Sequence, residues 1–127
     1  METRRITDEN GETRTGYLCY CLGNLISCQD SQYTPLTAMV QVEITKDPYT
    51  GEVGITKCEY APMMMVDLHD YGITDADWRY RLWDLREAIA DYERGDDRGV
   101  MNEELYTALC RGLEDCRAIF GPALEEK

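Results

Sequence analysis

Between residues 36 and 45 the side chains alternate without a break, with Ala38, Val40, Val42 and Ile44 on one side and Met39, Gln41, Glu43 and Thr45 on the other. Successive side chains of a strand point to opposite faces, so a period of two predicts a strand with one buried face. Asp47-Pro48-Tyr49-Thr50-Gly51 comes next. Proline presets φ and glycine tolerates a left-handed backbone, a combination that closes a turn. Residues 52–60 then return, Val53 and Ile55 alternating with Gly54 and Thr56. The whole reads as a β-hairpin, and Pro62, which has no amide to donate, is expected to end it or to sit on an edge.

Similar reasoning organises the rest of the chain. Residues 3–7 and 13–22 flank Asp8-Glu9-Asn10-Gly11, and Asn-Gly is a strong signal for a tight hairpin turn whose two central residues both take positive φ. Residues 63–68 are apolar and short, and residues 78–83 alternate again, which predicts a further edge strand or two separated by a loop over 69–77. Residues 84–94 carry helix formers with Leu85, Ala88, Ile89 and Tyr92 on one stripe, stopped by Gly95. The clearest helical period lies at Leu105, Ala108, Leu109, Gly112, Leu113, Cys116 and Ile119. Asn102 suits its N-cap, Glu103 and Glu104 suit the positive end of its dipole, and Gly121-Pro122 ends it. The expected fold is therefore α+β: mainly antiparallel hairpins forming a sheet, β-rich over 1–95, with two C-terminal helices, the second in an extension over 96–127.

At 127 residues with 43% hydrophobic content, the chain is long enough for one domain or part of one. It holds no run of about 18 apolar residues of the kind that spans a membrane, and residues 1–8 lack the apolar stretch of a signal peptide. Its 25 acidic and 13 basic side chains give a formal charge of −12. A field of that sign repels phosphate backbones and argues against nucleic-acid binding.

Few residues carry obvious chemistry. The six cysteines, at 19, 21, 28, 58, 110 and 116, form no Cys-x-x-Cys pair and fit no common zinc module. Free buried thiols are the first expectation and one or two long-range disulfides the second. Asp67 and His69 have the Asp-x-His spacing of a metal-binding strand end, but His69 is the only histidine, and a dinuclear centre needs several more ligands. A loop histidine is the expected role. Trp78, Tyr80 and Trp83 are read as strand aromatics of the core, and Met63, Met64 and Met65 as adaptable packing.

Three segments carry a family likeness. Tyr20-Cys21-Leu22-Gly23-Asn24-Leu25-Ile26-Ser27, Thr45-Lys46-Asp47-Pro48-Tyr49-Thr50-Gly51 and Tyr60-Ala61-Pro62 occur in the order and with the gaps of the last part of CapA proteins. The chain therefore resembles the C-terminal portion of this bacterial poly-γ-glutamate capsule-synthesis family over roughly residues 1–95, with Cys21 where the family usually has Ser. The resemblance implies half of a four-layer αββα sandwich like that of metal-dependent phosphoesterases, with the metal-binding motifs and any divalent metals upstream of Met1. It implies no cofactor in this segment. It places Gly23, Asn24 and Tyr20 at the rim of the active site, where Asn24 would bond a metal ligand or substrate. The other reading of Gly23-Asn24 is a strand-closing turn, and it is preferred.

Three functions follow. The first is a non-catalytic structural part of a CapA-like protein, partnered by the missing N-terminal half or by a second copy of itself, with no membrane contact of its own. The second is part of a metal-dependent phosphoester hydrolase active only with the upstream half. The third is an acidic α+β module that binds a protein through its last helix or an open sheet edge. The resemblance implies a bacterial parent that is membrane-anchored or extracytoplasmic.

Overall fold

The computed structural model describes residues 1–23 and 35–125. The chain is α+β, but its strands form two antiparallel sheets and not one. The first is a hairpin of β1 (Glu2–Thr7) and β2 (Thr13–Leu18), with Glu2 opposite Leu18 and Thr7 opposite Thr13. Its turn differs from the expected Asn-Gly form. Only Gly11 takes positive φ, at 83°. The loop is organised by Asp8, whose Oδ1 accepts from the amides of Asn10 (2.9 Å) and Glu12 (3.0 Å). A carboxylate that bonds the backbone just ahead of it makes a turn by itself, so the loop runs over residues 8–12.

The second sheet has the order β3-β4-β5, from β3 (Leu36–Lys46), β4 (Val53–Asp67) and β5 (Tyr80–Asp84). The hairpin turn between β3 and β4 repeats the device of the first. Asp47 Oδ1 accepts from the amides of Tyr49 and Thr50, both at 2.8 Å, and Gly51 takes φ 78°. The register slips between Glu43 and Ile44, whose partners are Lys57 and Ile55. Thr56 is the extra residue of this bulge, and its hydroxyl reaches the Glu43 carboxylate at 3.0 Å.

Pro62 neither ends the hairpin nor lies on an edge strand. It sits inside the 15-residue β4, opposite Ala38, and β4 is the central strand. The Met65 amide donates to the Pro35 carbonyl at 2.8 Å, so between the bulge and Asp67 the odd-numbered amides of β4 point towards β3 and the nitrogen of Pro62 points the other way. On that side β5 pairs with β4 only from Met63 to Asp67. The proline therefore interrupts no ladder bond. The predicted short strand over 63–68 is accordingly the far end of β4, and a 3-10 helix, Leu68–Tyr71, opens the expected loop.

Both helices form where their caps and stripes place them. Asp84 caps α1 (Leu85–Glu93) by accepting from the amides of Arg86 and Glu87, and Asn102 caps α2 (Glu103–Phe120) by accepting from Leu105 N. Their buried faces, with Leu85, Ala88, Leu105, Leu109 and Cys116, pack with Leu36, Ala38, Tyr60, Met64 and Val66 in one core. So α2 shares the core of the three-stranded sheet. Gly112 lets the helix approach closely, since a Cβ there would lie 3.0 Å from Met64 Sδ. The stripe departs from expectation in the last turn, where Ile119 is exposed and Phe120 is buried. Phe120 packs on Tyr60 with ring centroids 5.6 Å apart. The chain then folds back over the same place: Tyr60 Oη donates to the Gly121 carbonyl at 2.9 Å, and Glu125 ion-pairs with Arg117 at 2.7 Å.

Candidate functional site

Residues 19–23 lead from β2 to the outer edge of β3. The Leu22 carbonyl accepts from the Ala38 amide (2.9 Å) and from Thr37 Oγ1 (2.8 Å), and Gly23 bridges Thr37 in antiparallel fashion. Gly23 has φ 88°, and a Cβ there would stand 2.3 Å from the Leu36 carbonyl oxygen. Close approach of two backbones at positive φ is a position for glycine alone. Tyr20 is 76% exposed, and its hydroxyl accepts from the Arg4 guanidinium at 3.2 Å. Asn24 lies outside the described residues.

Asp67 and His69 occupy another part of the sheet. Asp67 ends β4, four residues beyond Met63, which is the position opposite Thr37. Asp67 caps the 3-10 helix by accepting from the His69 amide at 3.1 Å, and Arg79 donates to it through Nε at 3.0 Å and through its terminal nitrogen at 2.6 Å. The Arg79 hydrogen bond holds its carboxyl below the usual aspartate range. Both oxygens are thus committed to a guanidinium, and His69 is exposed. Among the described residues no group of three or more His, Cys, Asp or Glu side chains is placed to hold a metal ion.

The described cysteines are all free thiols. Cys58 and Cys116 are buried, Cys21 is exposed, and Cys19 and Cys110 lie between; Cys28 is outside the described residues. Burial pushes the Cys116 thiol up to about 12, so it is inert as a nucleophile at neutral pH. The aromatic run divides in a way the alternation did not show. Trp83 is fully buried, whereas Trp78 and Tyr80 are largely exposed.

One apolar surface without an assigned role is the far half of the β3–β4 hairpin. Ala38, Val40, Val42 and Ile44 share a face as predicted, but helices cover only its beginning. Val42 is 46% exposed, Ile44 64%, Val53 66% and Ile55 39%. Ile44 and Ile55 are direct partners, as are Lys46 and Val53, so these side chains form one apolar row. At its end the two hairpin tips border an open cleft of about 630 Å³ lined by Asp8, Arg14, Lys46, Asp47 and Glu52 among others. Asp8 and Asp47 already serve their own turns there.

No family model, no curated protein and no solved structure matches the chain.

Proposed function

We propose that the chain is a non-catalytic structural part of a larger CapA-like protein, docking through its distal β3–β4 hairpin on the half of the fold that holds the catalytic groups. The apolar row of Val42, Ile44, Val53 and Ile55 carries this reading. Fully burying a side chain of this kind stabilises by about 1.5–3 kcal/mol, and a strand face that remains apolar beyond its own helices is suited to a covering partner. The committed carboxylate of Asp67 and the single histidine leave metal-assisted phosphoester chemistry to the other half. The segments behind the resemblance agree with a structural role: Gly23 fastens one strand edge, and Asp47 and Gly51 build a turn. The acidic protein-binding module is the second reading, in which the same row meets an unrelated protein.

Co-expression with the polypeptide encoded directly upstream of Met1, followed by amide hydrogen exchange, separates the two. A stable complex that slows exchange over residues 42–46 and 53–57 is the expected result. Unchanged exchange there, or no complex, rejects the CapA-like reading.

A further inference from the structure

A second feature, on the opposite part of the molecule from the hairpin tips, concerns β5 and the turn after α1. Arg81 stands on β5 opposite Val66, with its guanidinium carbon 4.2 Å from the centroid of the Trp83 ring and 5.4 Å from that of Trp78. Arg98 lies over the same Trp83 ring at 5.4 Å. Two cations thus share one indole.

Their charges are unequally compensated. Arg98 donates through Nε to Asp91 Oδ2 at 2.6 Å, a carboxylate it shares with Arg94, and lies 3.8 Å from a Glu87 carboxylate oxygen, so two acids face it. Arg81 has no carboxylate within ion-pair distance among the described residues, and its polar contacts there are the two ring faces. In a chain of net charge −12, a partly buried arginine without an acid is anomalous. Burial, and secondarily the charge of Arg98, lowers its pKa, a direction that an anion would reverse.

Two further observations point the same way. Trp83 is fully buried and its Nε1–H has no acceptor, although buried indole donors usually find one. Arg98 is the only described non-glycine residue with positive φ, at 51°, a conformation that crowds a Cβ against the following carbonyl oxygen. Strain of this kind persists where the surroundings impose it, and it gathers at binding sites. Here it holds a cation beside the unpaired donors.

We propose that Arg81, the Trp83 indole N–H and Arg98 form a binding site for a small oxyanion, a carboxylate or a phosphate. Stacking occupies ring-facing surfaces of the guanidinium and leaves its in-plane N–H donors for the ligand, and that fork matches either oxyanion in bidentate fashion.

The test is a titration of the full chain at constant ionic strength with inorganic phosphate and, separately, with acetate. The two indole N–H resonances are followed by ¹H–¹⁵N NMR and assigned with Trp78→Phe. A saturable shift of the Trp83 resonance is expected, weakened roughly tenfold or more by Arg81→Gln and by Arg98→Gln. Arg81→Lys should fall between, because it keeps the charge and loses the fork. Arg14→Gln, on the distant hairpin tip, should have no effect. Saturation by one anion only identifies the ligand class. The absence of a saturable shift with either anion at millimolar concentration overturns the proposal, as does equal binding by the Arg81 and Arg98 variants. Should Arg81→Gln fail to fold, Arg81→Lys and Arg98→Gln decide the matter.

Discussion

At the residue scale, similar letters in the sequence turn out to do different work. Gly23 and Gly51 both have positive φ, but a Cβ at Gly51 meets nothing within 4 Å while one at Gly23 collides with the Leu36 carbonyl. Gly51→Ala should therefore cost only its backbone preference, about 1 kcal/mol, and Gly23→Ala at least about 2 kcal/mol. Equilibrium denaturation compares them, and equal losses would remove the close approach from the account. Asp67 was legible as a polar residue at a strand end. Its partner Arg79, twelve residues on, was not, because the pairing exists only once β4 and β5 lie side by side. That pair has a pH consequence. The carboxyl pKa is depressed in the folded chain, so its stabilisation is complete above the ordinary aspartate value of about 3.9 and is lost as the pH falls through the lower folded value. Arg79 is half exposed, so solvent screens the pair and the effect at neutral pH is small. Asp67→Asn, which retains a capping oxygen, should be slightly less stable than the parent at pH 7 and indistinguishable from it in strong acid. A stability gap that persists in acid would mean that the substitution acts through packing and not through charge.

At the scale of elements, the helices were the most legible part of the sequence, since caps and stripe are both local. Asn102 and Asp84 cap as their residue types suggest, and Leu105, Leu109, Gly112 and Cys116 are buried. Legibility ended where a longer-range contact took over. Phe120 displaces Ile119 from the buried face because Tyr60, sixty residues earlier, receives it. Pro62 likewise depended on which side of β4 its nitrogen faced, which no sequence pattern states. The helix face can be checked by truncation. Leu109→Ala should destabilise by about 2–5 kcal/mol while the exposed Glu114→Ala stays within about 0.5, and comparable losses in urea would place the wrong face against the sheet.

At the scale of the whole molecule, the alternation in β3 and β4 revealed an apolar face but not where its cover stops. Periodicity records which side a residue is on; coverage depends on the length of α2 and on where the C-terminal turn folds back. The helices reach as far as Val40 and Tyr60; past the buried Cys58, the pairs Ile44–Ile55 and Lys46–Val53 are exposed. Exposed strand faces and edges of this kind associate readily, and a row that is its own partner under a two-fold axis suits an isologous dimer. The isolated chain is therefore expected to form a dimer or higher oligomer in which the hairpin row, and not the charged helix faces, is buried. Sedimentation equilibrium over a wide concentration range measures this, with Ile44→Lys and Val53→Lys as the decisive variants. Both side chains are mostly exposed, so each substitution should leave the monomer's unfolding free energy within about 0.5 kcal/mol of the parent's while shifting the population to monomer. A parent that stays monomeric at every concentration and binds no apolar dye would show that the hairpin is at ease in water, and would count equally against a covering partner half.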